Sequence, residues 1–176
     1  MLKTLYHTIQ KRHNVLASVR SAPYLCVNEP WFGRGYYFWD GSVKLAEWWG
    51  EEHCKRNYII TKAEIDFPEG SLLDLIDNMQ HIEFFDAVAK TISDRLGEEA
   101  TVPKIVEELR KREDFTFRAV RGCGVPYKPN RYPNNPYVQR IRFSENVDFY
   151  LDTLPRHQIC IFDKSNIPSL EIVKVS

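Results

Sequence analysis

The hydrophobic positions of this 176-residue chain switch between a period of two and a period of three to four. That pattern predicts strands at both ends and helices in the middle. Leu2 to Thr8 reads as a strand carrying His7 near its end. Residues 9–32 hold Pro23 and Pro30 without clear periodicity, which predicts an irregular segment with one short helical turn. Tyr36 to Trp39 is a short aromatic run suited to a half-buried pleated position. Asp40 or Ser42 then caps a helix whose stripe is Val43, Ala46 and Trp49, or Leu45, Trp48 and Trp49. Tyr58 to Phe67 alternates as a strand and Pro68-Glu69-Gly70 turns the chain. Residues 71–112 are helical in pattern, starting at Leu72, Leu73, Leu75 and Ile76, broken at Gly97 and restarted by Thr101 and Pro103. Phe115 to Val120, Tyr137 to Phe143, Gln158 to Phe162 and Leu170 to Val175 are the remaining expected strands. Between them, residues 122–136 form a loop with two glycines and four prolines. The order predicts one α+β domain over residues 1–176, with a helical insert at about 71–112.

Composition narrows the function classes. Lys plus Arg and Asp plus Glu number 24 each, so no global charge draws the chain to nucleic acid or to an acidic surface. No apolar run approaches the roughly 20 residues that span a bilayer. The N-terminal residues lack a secretory apolar core. Cys26, Cys54, Cys123 and Cys160 are scattered without a Cys-x-x-Cys pair, which argues against a zinc site and a disulfide framework. A reduced cytoplasmic setting, no membrane and no metal are the expectations.

The chemistry concentrates at residues 33–49, read together with His7. Gly33 and Gly35 permit close backbone approach. Tyr36, Tyr37, Trp39, Trp48 and Trp49 offer flat faces for stacking. His7 offers a ring nitrogen that can donate to a sugar hydroxyl. A second segment interleaves Arg118, Arg121, Lys128, Arg131, Arg140 and Arg142 with Tyr127, Tyr132 and Tyr137. Cations neutralise phosphates and tyrosines stack on bases, so this segment is a candidate partner surface.

The order of the first set resembles the ADP-ribosyltransferase superfamily of the polymerase and diphtheria-toxin type. In that family a strand ends in His-Gly-Thr or His-Gly-Ser, followed later by Gly-x-Gly-Ile-Tyr-Phe-Ala-Asp and a helix beginning Ser-x-Lys-Ser-Ala-x-Tyr. Here the matching run is Gly33-Arg34-Gly35-Tyr36-Tyr37-Phe38-Trp39-Asp40, then Lys44-Leu45-Ala46-Glu47-Trp48. The family's late strand carries a catalytic glutamate in Glu-Tyr-Ile-Val-Tyr-Asp, and the local match is Gln158-Ile159-Cys160-Ile161-Phe162-Asp163. Glutamine replaces glutamate. It can hydrogen-bond a ribose but cannot supply negative charge.

The resemblance implies a split antiparallel β core with flanking helices. It implies NAD as substrate and transfer of ADP-ribose to a macromolecular acceptor, protein or nucleic acid. The catalytic set would be His7, Tyr37 and Gln158. NAD would meet His7, Thr8, Gly35, Tyr36, Tyr37, Leu45 and Trp48. Within that set His7 would hold the ribose, the Thr8 backbone the carboxamide, and Tyr37 and Trp48 would stack on nicotinamide. Leu45 stands where many members have an amide-binding serine. Arg121, Tyr127, Lys128 and Arg131 would contact the acceptor. Asp152, Asp163 and Glu145 are the nearby carboxylates that could compensate for Gln158. A small member of this kind resembles a bacterial toxin or phage-defence effector, with an antitoxin protein as implied partner. The alternatives are a catalytically weak NAD- or ADP-ribose-binding pseudoenzyme and an NAD glycohydrolase.

Overall fold

The computed structural model describes residues 1–11, 14–28, 30–124, 140–145 and 147–176. The elements run β1 (Leu2–Gln10), α1 (Val15–Ser21), β2 (Tyr36–Asp40), α2 (Val43–His53), β3 (Tyr58–Asp66) and β4 (Leu72–Asp74). Then come α3 (Met79–Leu96), α4 (Val102–Arg110), β5 (Ala119–Cys123), β6 (Arg140–Ser144), β7 (Val147–Asp152), β8 (His157–Ile161) and β9 (Glu171–Val175). The fold is α+β. Seven strands form one sheet in the order β4-β5-β8-β2-β1-β3-β9, while β6 and β7 pair separately. The β4–β5 pair is parallel and the other sheet pairs are antiparallel.

The sheet is continuous and mixed, where a split antiparallel core is expected. Its two halves are nevertheless joined by a minimal seam. β1 pairs with β2 only at Leu5↔Asp40 and Tyr6↔Trp39, whereas β1 pairs with β3 along its whole length. Beyond Tyr6 the two strands diverge, and the edge of β1 that faces β2 carries no ladder.

Alternation along β2 distributes its side chains to different cores. Tyr36 and Phe38 pack with Leu5, Ile159 and Ile161. Tyr37 joins the cluster under α3 and α4 with Val120 and Leu109, and Trp39 joins the cluster under α2 with Leu45 and Tyr58. Ser42 caps α2 by accepting a hydrogen bond from Leu45 N at 3.3 Å. Gly97, at φ 69, closes α3 in the left-handed conformation that glycine adopts without strain.

Two elements differ from the sequence expectation. Leu72 and Leu73 start a buried strand, not a helix: β4 is covered on both faces, Leu72 and Leu73 packing into different clusters, so its adjacent leucines do not alternate with polar residues. The Asp74 carboxylate then accepts from Ile76 N at 2.9 Å and Asp77 N at 3.2 Å, forming a turn that delays α3 to Met79. Phe115 and Phe117 precede β5 and instead pack edge-on, 5.4 Å apart, against the helices. β7 is an additional strand. Of the strand expected at Tyr137 to Phe143, residues 137–139 lie outside the described residues.

Candidate functional site

The divergence of β1 from β2 opens a pocket of about 210 Å³. His7 and Thr8 line it from β1, Tyr37, Phe38 and Trp39 from β2, and Gln158 from β8. Trp49 of α2 closes one side, and Tyr24, Cys26, Asn28, Pro30 and Trp31 close another as a strap.

Tyr37 holds the strap in place. Its hydroxyl donates to Gly33 O and accepts from Phe32 N, both at 2.7 Å. Its ring lies nearly parallel to Phe32, with centroids 6.3 Å apart. Burial, and next the neighbouring Cys160, push the phenol well above its ordinary range, so it remains a neutral hydroxyl. Gly33 has φ 82, a left-handed turn that favours glycine. Gly35 is glycine for a packing reason, since a Cβ there would sit 2.8 Å from Ile161 O.

His7 is fixed in one tautomer. Its Nδ1 lies 2.8 Å from Tyr37 O, an atom that only accepts, so Nδ1 carries the proton. Burial lowers the His7 pKa to about 4 against the opposing pull of that carbonyl, and the ring is neutral at pH 7. Nε2 is therefore a buried acceptor without a partner among the described residues. The sequence expectation that His7 donates to a ligand is corrected: the free nitrogen accepts. Gln158 Oε1 is likewise buried and unpartnered, on a side chain 7% exposed. Buried acceptors left empty each cost on the order of 1–3 kcal/mol, so two in one pocket mark where a ligand's donors fit.

The structure gathers His7, Thr8, Tyr37 and Gln158 around the pocket and sends four other expected residues elsewhere. Trp48 is 9% exposed, packed edge-on to Trp39 and covered by the Arg156 guanidinium 4.5 Å from its ring centre. Its neighbour Trp49 takes the pocket-facing role, stacked on His53 with centroids 3.6 Å apart. The helical stripe left these two indoles equivalent, and only the docking of α2 separates them. Leu45 is fully buried core. Tyr36 faces the opposite side of β2, and Gly35 packs on β8. Thr8 contributes a hydroxyl that donates to Ala46 O at 2.7 Å and ties β1 to α2.

Arg121 is not a free acceptor contact. It is 5% exposed and engages Asp40 at 2.7 Å, Asp74 at 2.9 Å, and Asp77. Burial opposes its charge, but the hydrogen bonds to Asp77 and Asp40 and the field of Asp74 outweigh that and raise its pKa. Tyr127, Lys128 and Arg131 lie outside the described residues. Asp163 caps the turn at Lys164–Asn166 and Asp152 caps Leu154, and among the described residues no carboxylate lines the pocket.

No protein-family model, curated protein or solved structure matches this chain. Sequence reasoning missed the strap. Its signal was present in the aromatic and proline content of residues 23–32, which is more than a connecting loop needs. Among the described residues no helix is long and apolar enough to cross a membrane.

Proposed function

We propose that this protein is a mono-ADP-ribosyltransferase that moves ADP-ribose from NAD to a macromolecular acceptor, protein or nucleic acid, as a toxin or defence effector. The observation that carries the reading is the pair of empty acceptors, His7 Nε2 and Gln158 Oε1, in one aromatic-walled pocket. A vicinal diol supplies two matching donors, and the nicotinamide-side ribose of NAD has one. The resemblance in sequence assigns that ribose to the same two residues.

The size and charge of the pocket agree with this substrate. At about 210 Å³ it falls below the roughly 300–1,000 Å³ of pockets that enclose a whole drug-sized ligand. It suits the nicotinamide and its ribose, with the rest of the dinucleotide outside. Nicotinamide in NAD is cationic, and a neutral His7 does not repel it. The faces of Tyr37 and Trp49 offer stacking surface.

In the reaction, the bond between ribose C1′ and the pyridinium nitrogen breaks and its electron pair leaves with neutral nicotinamide. Positive charge develops at C1′. An acceptor lone pair then closes on C1′, and the acceptor's proton passes to solvent. His7 and Gln158 orient the diol, and the aromatic walls exclude water from the leaving group.

The test is incubation of the purified protein with adenylate-labelled NAD and a cell lysate, alongside His7→Ala and Tyr37→Ala. Label in a protease- or nuclease-sensitive fraction, lost in both variants, is the expected result. Free labelled ADP-ribose with no labelled macromolecule would replace the reading with an NAD glycohydrolase. A second reading, a binding-only pseudoenzyme, is favoured by Gln158 standing where the resemblance expects a catalytic glutamate. Gln158→Glu separates the two. A working transferase changes rate or acceptor, whereas a vestigial site binds NAD and still releases no nicotinamide.

A further inference from the structure

Several cations of this surface are paired with carboxylates. Lys90 pairs with Asp86, Lys104 with Glu98, Arg112 with Asp114 and Lys174 with Glu47. Three other cations, without a carboxylate partner among the described residues, converge on one concavity of about 300 Å³. It lies where β2 begins and β8 ends, on the other side of the strap from the His7 pocket. Leu25 and Tyr36 face it, while Cys26 and Tyr37 face the pocket.

The three cations are poised differently. Arg110 lies over the Phe162 ring with its guanidinium carbon 4.4 Å from the centroid, and donates to Arg34 O at 2.9 Å. The ring contact and that one hydrogen bond leave the guanidinium with N–H donors to spare. Lys164 Nζ donates to Ser21 O at 3.0 Å and keeps its remaining protons. Arg34 is exposed, and its side chain has no partner among the described residues. Tyr36 and Phe162 add half-buried aromatic surface. One carboxylate, Asp163, also lines the concavity, and its Oδ1 is taken by Ser165 N at 2.8 Å. Glu107, one helical turn before Arg110, lies beside Gly33. The lining itself thus carries three positive side chains and one negative.

We propose that the concavity of Arg34, Arg110 and Lys164 binds the phosphate of a nucleotide unit, with Tyr36 and Phe162 offering apolar surface to its base or sugar. Planar guanidinium groups match phosphate oxygens in a bidentate fork, and the lysine adds a point charge. Unpaired cations beside aromatic rings are the combination that holds a nucleotide without reading its sequence. The site is separate from the His7 pocket and does not depend on NAD turnover.

The test is a titration of the full chain at low salt with a fluorescein-labelled single-stranded oligothymidylate and, separately, with thymidine 5′-monophosphate. Binding of the oligomer with a steep salt dependence is expected if the source is a nucleic-acid chain. Equal affinity for the mononucleotide assigns a free nucleotide. In either case Arg34→Glu and Lys164→Glu each weaken binding by roughly tenfold or more. For a nucleic-acid chain each also lowers the log–log salt slope by about one. Arg34 makes no contact that folding needs, so its reversal leaves a folded protein to measure. His7→Ala leaves the affinity unchanged. Absence of binding by both probes, or binding indifferent to Arg34→Glu, overturns the proposal.

Discussion

Two places along β2 bury polar groups, and they treat them in opposite ways. At its C-terminal end, Asp40 meets Arg121 and Lys3, and Arg121 in turn holds Asp74 and Asp77. Each of these charged groups has an opposite partner. Three residues earlier, at Tyr37, β2 borders the pocket where His7 Nε2 and Gln158 Oε1 have none among the described residues. A satisfied buried cluster specifies how strands meet, and an unsatisfied one leaves its hydrogen bonds for something else. The ionic cluster joins β2, β4, β5 and the turn before α3, and the pocket is the proposed ligand site.

The largest expected effect comes from breaking the architectural side. Arg121→Met leaves the Asp40 and Asp74 carboxylates, each 7% exposed, without their main counter-charge. Removing one partner of a buried ionic group costs about 3–5 kcal/mol, to be read as a fall in the urea unfolding midpoint. A loss below about 1 kcal/mol would mean that water reaches the cluster and that the contrast with the pocket is overstated.

A smaller effect is expected where the two regions share a support. Tyr37→Phe keeps the ring but removes the hydroxyl that joins Phe32 N and Gly33 O. The cost is about 1–2 kcal/mol, with a lower thermal midpoint and faster proteolysis within residues 24–35. Unchanged proteolysis there would show that the strap is held by its aromatic packing alone.

The finest test is a pH dependence. The folded-state pKa of His7, about 4, lies below the ordinary value of 6.5. The native state therefore binds fewer protons than the unfolded chain between those values. His7 then contributes stability that is complete above pH 6.5 and is lost as pH falls toward 4. His7→Gln should flatten the unfolding midpoint across that window relative to the wild type. Asp77 acts in the same direction at lower pH, because its hydrogen bond to Arg121 holds its carboxyl below the usual range. An identical pH profile in the variant would mean that His7 is more hydrated than its geometry implies.

Much of the fold was legible because local signals and tertiary placement agree. The alternation of Tyr58 to Phe67, the aromatic run of β2, the Ser42 cap and the Gly97 stop all encode their elements within a few residues. β4 was not legible, since a strand covered on both faces and the start of a buried helix present the same apolar run. Within the site, His7, Tyr37 and Gln158 were nameable from motif order, and the structure brings all three to one pocket. The choice of Trp49 over Trp48 and the commitment of Arg121 to three aspartates were not nameable. Arg121 meets its aspartates across 44 or more residues, and Arg156 over Trp48 and His7 and Gln158 beside Trp49 are likewise distant in the chain, so no local pattern encodes either choice.

The sequence by itself determined that this chain is α+β, where most of its elements begin and end, and which residue types are available for binding. Those properties follow from side-chain periodicity, capping and turn chemistry, which act over a few bonds. Only the tertiary structure decided that β1 and β2 part after Tyr6, that the His7 tautomer turns an acceptor inward, and which buried polar groups find partners. Those outcomes depend on the register and docking of distant strands and helices, and a buried hydrogen bond exists only once both of its ends have been brought together.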